Sequence, residues 1–407
     1  MPETAWTPHR QLPPPHRDVA PDGRWPQDPW EARAPLWAAH GISRRTFLKF
    51  CAAMAGVLAL PERYAARIAR ALEAVRRPAL VWLEFQDCAG CTESFLRASR
   101  PSVADLVLDV LSLNYHETIM APAGAAAERS LQETVRNQRG QYLAVVEGAI
   151  PTRDGGVYCT IGGRTALDIA RDICTNAAAT ITVGACAFYG GWPAAYPNPT
   201  GAVGVAQAVP GITVVNLPGC PPNAVNITAT LVHFLTFGEL PATDRQGRPL
   251  FAYGERIHDR CERRAHFDAG RFVQEWGDAG HRQGWCLYKM GCKGPATYHN
   301  CPAVRWNDGT SWPVAAGHGC VGCAERDFWD VMTPFYRRLP HVPGVGIHTT
   351  ADRIGAWIAG GTAAAFAAHG VASAVRARRR PGSSPPAAGP TAPPPSTPEP
   401  AQGEEEP

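Results

Sequence analysis

Eleven side chains in this chain have the types and spacings that metal-sulfur chemistry needs. They run Cys88-x2-Cys91, Cys186, Cys220, His258-x2-Cys261, Cys286, Cys292, Cys301 and Cys320-x2-Cys323. Thiolates and neutral imidazoles are ligands for zinc and iron, and thirteen cysteines in total do not by count alone separate ligands from disulfides. Spacing divides them into four, four and three. Cys88, Cys91, Cys186 and Cys220 form one set; His258 and Cys261, with Cys286 and Cys292 close enough to complete the site, form a second. Cys301, Cys320 and Cys323 remain, and three thiolates are the number that holds a 3Fe-4S cluster.

The first set needs a scaffold that brings distant residues together, and the surrounding pattern supplies one. Between Pro78 and about Leu240, the runs ALVWLEF, LVLDVLSL, YLAVVEG, TITVGA and ITVVNLPG read as strands, with RTALDIARDIC and NAVNITATLVHFLTF as helices. This alternation predicts an α/β fold, a flavodoxin-like, doubly wound parallel sheet. Such sheets bind ligands beyond the carboxyl ends of their strands, and Cys88, Cys91, Cys186 and Cys220 all follow strands. Gly184, Gly190, Gly191 and Gly219 flank them and let backbone pass close to a bulky inorganic group. From about Pro241 to Leu339 the periodicity fades, and Gly, Pro, Trp, His and Cys dominate. That predicts a smaller, largely irregular and helical domain stapled by metal.

Both ends carry signals of another kind. SRRTFLKF at 43–50, the apolar run CAAMAGVLALP and small-residue sites such as Ala69-Arg70-Ala71 match a twin-arginine export signal. Ile354 to Val375 runs for about 20 residues without a formal charge, the length of a transmembrane helix. Arg376, Arg378, Arg379 and Arg380 close it on the side expected to be cytoplasmic, so the exported body faces the periplasm. His369 lies within that span and is expected to contact a membrane partner. The expected organisation is a leader at 1–74, the sheet domain at 75–240, the second domain at 241–345, an anchor at 346–376 and a disordered tail at 377–407.

Lys plus Arg (39) nearly balances Asp plus Glu (36), so no global field draws the chain to nucleic acid. With 407 residues and 45% apolar content, it can bury a substantial core.

The motifs CAGCTESFLR, GACAFYGG, LPGCPPNA, HDRC, WCLYKMGCKGPATYHNCP and WPVAAGHGCVGC, in this order, resemble the successive cluster motifs of nickel-iron hydrogenase small subunits. The resemblance implies that Cys88, Cys91, Cys186 and Cys220 hold a proximal 4Fe-4S cluster, nearest a nickel site in a large partner subunit. By the same resemblance His258, Cys261, Cys286 and Cys292 hold a distal 4Fe-4S cluster and Cys301, Cys320 and Cys323 a medial 3Fe-4S, with Pro313 where a fourth thiol could stand. It implies an electron-transfer subunit of a hydrogen-oxidising enzyme with no catalytic residue of its own. Electrons would pass to a membrane cytochrome b or similar quinone-linked protein. Oxygen-tolerant members carry two further cysteines by the proximal cluster; here Gly90 and Gly191 fill those places, which argues for an ordinary one-electron centre.

Three rival readings weigh less. A relative of the quinone-reductase cluster subunit leaves the His258 set unexplained, and a structural zinc protein does not divide eleven ligands into tetrahedral sets. An exported disulfide-rich binder fits neither the export route nor the ligand order. Cys51 falls in the leader, Cys159 and Cys174 read as buried structural thiols, and His266, His281, His299 and His318 as background. Glu93 reads equally as a helix-start carboxylate or as a residue near the first ligand set or the subunit interface.

Overall fold

Five short strands form one parallel sheet; four end one or two residues before the end of a predicted run, and one ends three residues beyond it. They are β1 (Ala79–Glu84), β2 (Ser112–His116), β3 (Leu143–Glu147), β4 (Ala179–Val183) and β5 (Val214–Leu217), in the order β2-β1-β3-β4-β5. All four pairings are parallel. Every residue of β1, β3 and β4 is buried, as a sheet covered on both faces requires. The computed structural model describes residues 44–72, 78–99, 103, 111–337 and 351–379.

One predicted strand is displaced. The apolar run at 106–113 is the expected strand, but β2 uses Ser112–His116, and residues 104–110 lie outside the described part. At the sheet edge a strand needs burial at only some positions, which the more polar SLNYH supplies.

Helices cover both faces. Ala166–Asn176 and Ala224–Phe237 match the two predicted helices, and each has a side-chain cap at its start. Thr165 accepts the Asp168 N–H, and Asn223 accepts the Val225 N–H. In chain order the helices used below are α1 (Arg44–Val57), α2 (Ala65–Leu72), α3 (Gly90–Leu96), α4 (Ala166–Asn176), α5 (Ala224–Phe237), α6 (Ile257–Arg260) and α7 (Ala351–Arg379). One core layer joins Val81, Leu83, Val146 and Ile169; the opposite layer joins Leu80, Trp82, Val145, Ile227 and Leu231.

Beyond Leu240 no described helix exceeds five residues until α7. This region still packs on the sheet domain: Ala324 lies in its core, and Phe328, Trp329 and Met332 bury against Ala185 and Tyr189. The chain up to Thr350 is one compact unit and Ala351 onward another. α7 is a 29-residue helix whose stretch Gly355–Arg376 is long and apolar enough to cross a membrane. The expected leader before Arg44 and the tail after Arg379 lie outside the described residues.

Candidate functional site

The first ligand set assembles at the carboxyl edge of the sheet. Cys88 and Cys91 follow β1, Cys186 follows β4 and Cys220 follows β5. The Cys91 thiol lies within electrostatic reach of Cys88, Cys186 and Cys220 together. Cys91 is buried, Cys186 half-buried, and Cys88 and Cys220 exposed, so the set opens to one side. Burial pushes the Cys186 thiol up to about 12 and Cys91 well above the usual thiol range. The Trp192 backbone N–H donates to Cys186 and its indole to Cys220, opposing that shift.

Two glycines make room for these sulfurs. A Cβ on Gly184 would lie 2.5 Å from the Cys91 Sγ, and one on Gly191 would lie 2.3 Å from the Cys186 Sγ. Both have positive φ, 95° and 57°, so a side chain is disfavoured there twice over.

Behind the set stands a group of acids that the sequence reading missed. Glu84 and Glu147 end β1 and β3, and with Asp87 their carboxylate oxygens lie within 4.8 Å of one another. Glu147 accepts the backbone N–H of Cys91 (2.8 Å) and Thr92 (2.9 Å), the Thr92 hydroxyl (2.6 Å) and the Trp82 indole (3.4 Å). Glu84 Oε1 accepts the Thr118 hydroxyl and lies 3.0 Å from the Thr92 oxygen, whose one proton goes to the nearer Glu147. Burial raises Glu84 and Asp87 to about 6 and Glu117 to about 8. The legible signal was a charged residue closing two otherwise apolar strands.

In the second region His258, Cys261, Cys286 and Cys292 line one cavity with Phe267 and Tyr288. His258 rides on α6, packs edge-on against Phe267 at 4.6 Å, and is held neutral by burial, which lowers it to about 4. A neutral imidazole is the ligating form. Burial pushes Cys286 up to about 12 and Cys261 to about 11. N–H groups of Arg263, Tyr288 and Gly294 donate to the three thiols.

The third set is the most enclosed. Cys301 and Cys320 are buried, and Cys320 lies within electrostatic reach of Cys301 and Cys323. The Trp306 indole donates to Cys301, and the Gly322 N–H to Cys320 at 3.4 Å. This set touches both others. The Cys220 backbone donates to the Cys323 sulfur, and the Cys320 N–H donates to the Cys292 sulfur at 3.3 Å.

Three facts bear on what such sets hold. The ten cysteines of the three sets are free thiols, with no disulfide among them. A single tetrahedral zinc holds its four thiolate sulfurs about 3.8 Å apart. Among the described residues the one trio of ligand atoms within 4.8 Å of one another is Glu84, Asp87 and Glu147, so no thiol set is drawn in tightly enough for a single ion.

Comparison with known proteins agrees with the geometry. Residues 253–336 match the family described as the C-terminal part of the NiFe/NiFeSe hydrogenase small subunit, and residues 88–234 match NADH ubiquinone oxidoreductase, 20 Kd subunit. The uptake hydrogenase small subunit of Azotobacter vinelandii is 48% identical over 345 residues, 85% of this chain and 96% of that relative. This chain belongs to the nickel-iron hydrogenase small subunits. The hydrogenase-1 small chain of Escherichia coli K12 is 45% identical over 85% of this chain and 92% of its own length. Among solved structures, the NiFeSe hydrogenase of Desulfomicrobium baculatum superposes with a TM-score of 0.61 at 35% identity, covering 65% of this chain and 100% of that one. As a hydrogenase small subunit the chain transfers electrons through iron-sulfur cofactors and pairs with a large subunit that holds the metal active site.

Cys174 is buried and Cys159 half-buried against the same core. Glu93 is exposed and pairs with Arg97 at 3.0 Å. His299 is buried, and its Nδ1 accepts the Cys301 N–H at 3.0 Å, at the start of the short helix Cys301–Val304. Pro313 is exposed between buried Trp312 and Val314.

Proposed function

We propose that this hydrogenase small chain conducts electrons from dihydrogen oxidation in its large partner to a quinone-linked membrane protein such as a cytochrome b. One observation carries the reading: the eleven predicted ligands fall into three spatial groups in series, joined through Cys220 to Cys323 and through Cys320 to Cys292. Cys88, Cys91, Cys186 and Cys220 would hold the proximal 4Fe-4S cluster, Cys301, Cys320 and Cys323 the medial 3Fe-4S, and His258, Cys261, Cys286 and Cys292 the distal 4Fe-4S. When bound, such clusters supply reversible one-electron transfer.

The protein's own contribution is placement and charge. Buried thiols driven above the ordinary range bind metal as thiolates, so loading releases protons and ties the irregular second region together. N–H groups aimed at sulfur stabilise the added negative charge. His258 contributes no charge of its own, which distinguishes the last group from the first. The open side at Cys88 and Cys220, with the half-exposed ring of Trp192, suits the docking of the nickel-bearing partner. Gly90 and Gly191 beside the first set favour an ordinary one-electron centre there.

The leader at Arg44 and Arg45 and the α7 span support export by the twin-arginine route and single-pass anchoring, with the body on the periplasmic side. Domain limits at 75–240 and 241–345 belong to the same reading. Hydrogen uptake is the favoured direction, the role printed for the Azotobacter vinelandii relative. The test is iron and acid-labile sulfide per chain in the anaerobically purified heterodimer, with the EPR signal of an oxidised 3Fe-4S centre. Zinc without sulfide rejects the proposal.

A further inference from the structure

The apolar face of the leader helix does not project into solvent. On α1, Phe47, Phe50, Cys51, Met54 and Ala55 are each at most 6% exposed, and Leu58 just beyond is 7%. They pack with Ile68, Ala69 and Leu72 of α2 and with Ala229 and Val232 of α5 into one continuous core. The guanidinium of Arg67 sits 4.5 Å over the Phe237 ring at the end of α5.

The sequence of α5 explains why it accepts this cover. AVNITATLVHFLTF is apolar nearly all round, and a helix of that kind must be buried on two sides. Ile227, Leu231 and Phe234 face the sheet core, and Ala229 and Val232 face the leader. Without α1 and α2 the second face would lie open.

The charged side of α1 is arranged the other way. Arg45 and Lys49 are exposed, and Leu48 is 45% exposed. Part of the basic address is therefore readable while the apolar stretch that must enter the membrane is hidden. The small-residue site Ala69-Arg70-Ala71 lies inside helix α2 with Ala69 buried, whereas a peptidase needs extended, accessible backbone.

We propose that the outer face of α5 is a docking site for the chain's own leader, so that the folded precursor keeps the membrane-inserting stretch and the processing site locked until the leader is pulled away. This rests on the export reading above. It adds that folding of the body masks the signal rather than merely preceding its use.

Hydrogen exchange tests it, on the full-length precursor co-expressed with its large subunit in a host lacking the twin-arginine translocase. Amides of 44–58 are expected to exchange at least ten-fold more slowly in the wild type than in a Phe50→Asp, Met54→Asp variant. Strand 143–147 is expected to be equally protected in both, which shows that the body is intact. Ala229→Asp probes the other side of the contact and is expected to release 44–58 in the same way. Exchange of 44–58 at the rate of an unfolded peptide in the wild type overturns the docking. The export reading is tested separately by Arg44→Lys, Arg45→Lys and cell fractionation. Export that persists in that pair overturns both, whereas fast exchange with arginine-dependent export overturns the docking alone.

Discussion

Glu147 caps the helix on which Cys91 rides. Its carboxylate, at the end of β3, accepts the N–H groups of Cys91 and Thr92, two of the orphan donors in the first turn of α3. The local cap position is Ala89 at φ 56°, which has no side-chain acceptor to offer. A residue 56 positions downstream does the work of a neighbour. Replacing Glu147 by Ala leaves several buried donors unsatisfied and is expected to cost about 3 kcal/mol. Glu147→Gln is expected to fall between, since it offers one acceptor oxygen. Thermal unfolding of the heterodimer checks the order, and unchanged melting in Glu147→Ala rejects it.

Gly191→Ala is expected to strip the first ligand set of iron, because the added methyl would sit 2.3 Å from the Cys186 Sγ. Gly163→Ala is the control: its φ is also positive, 79°, but nothing lies within 4 Å of the added carbon. Iron analysis should find one centre missing in the first variant and none in the second.

At the opposite end of the series, His258→Cys exchanges a neutral ligand for an anionic one and is expected to lower the potential of that centre while retaining its iron. His258→Ala is expected to lose iron there. Redox-titrated EPR separates the two outcomes; an unchanged potential in His258→Cys removes His258 from the ligand set.

The acid group makes stability depend on pH. Burial raises Glu84 from 4.5 to about 6, so its stabilising contribution is complete below pH 4.5 and is lost as pH rises through about 6. Glu84→Gln keeps an oxygen acceptor for Thr118 and removes that charge. The variant is expected to be more stable by about 1–2 kcal/mol at pH 8 and equal to the wild type at pH 4.5. Melting temperatures across that range decide it.

Ending the chain before Ala351 is expected to move the heterodimer from the membrane to the soluble fraction without loss of iron, since the eleven proposed ligands all precede α7. Retention in the membrane fraction would show a second attachment.

What the residues determined alone was whatever depends on type and short spacing. The Cys-x2-Cys and His-x2-Cys pairs, the buried strands and the two capped helices are local patterns, because ligand pairs close over one turn and strand burial writes continuous apolar runs. Tertiary structure decided the rest. Only folding brings Cys220 to Cys323 and Cys292 to Cys320, turning three sets into a series. Only folding lets Glu147 cap a helix 55 to 56 residues away and lays α1 and α2 across α5. Hydrogen bonds and apolar contacts act through space at a few ångströms, and a linear pattern carries no record of which distant residues the sheet order will place there.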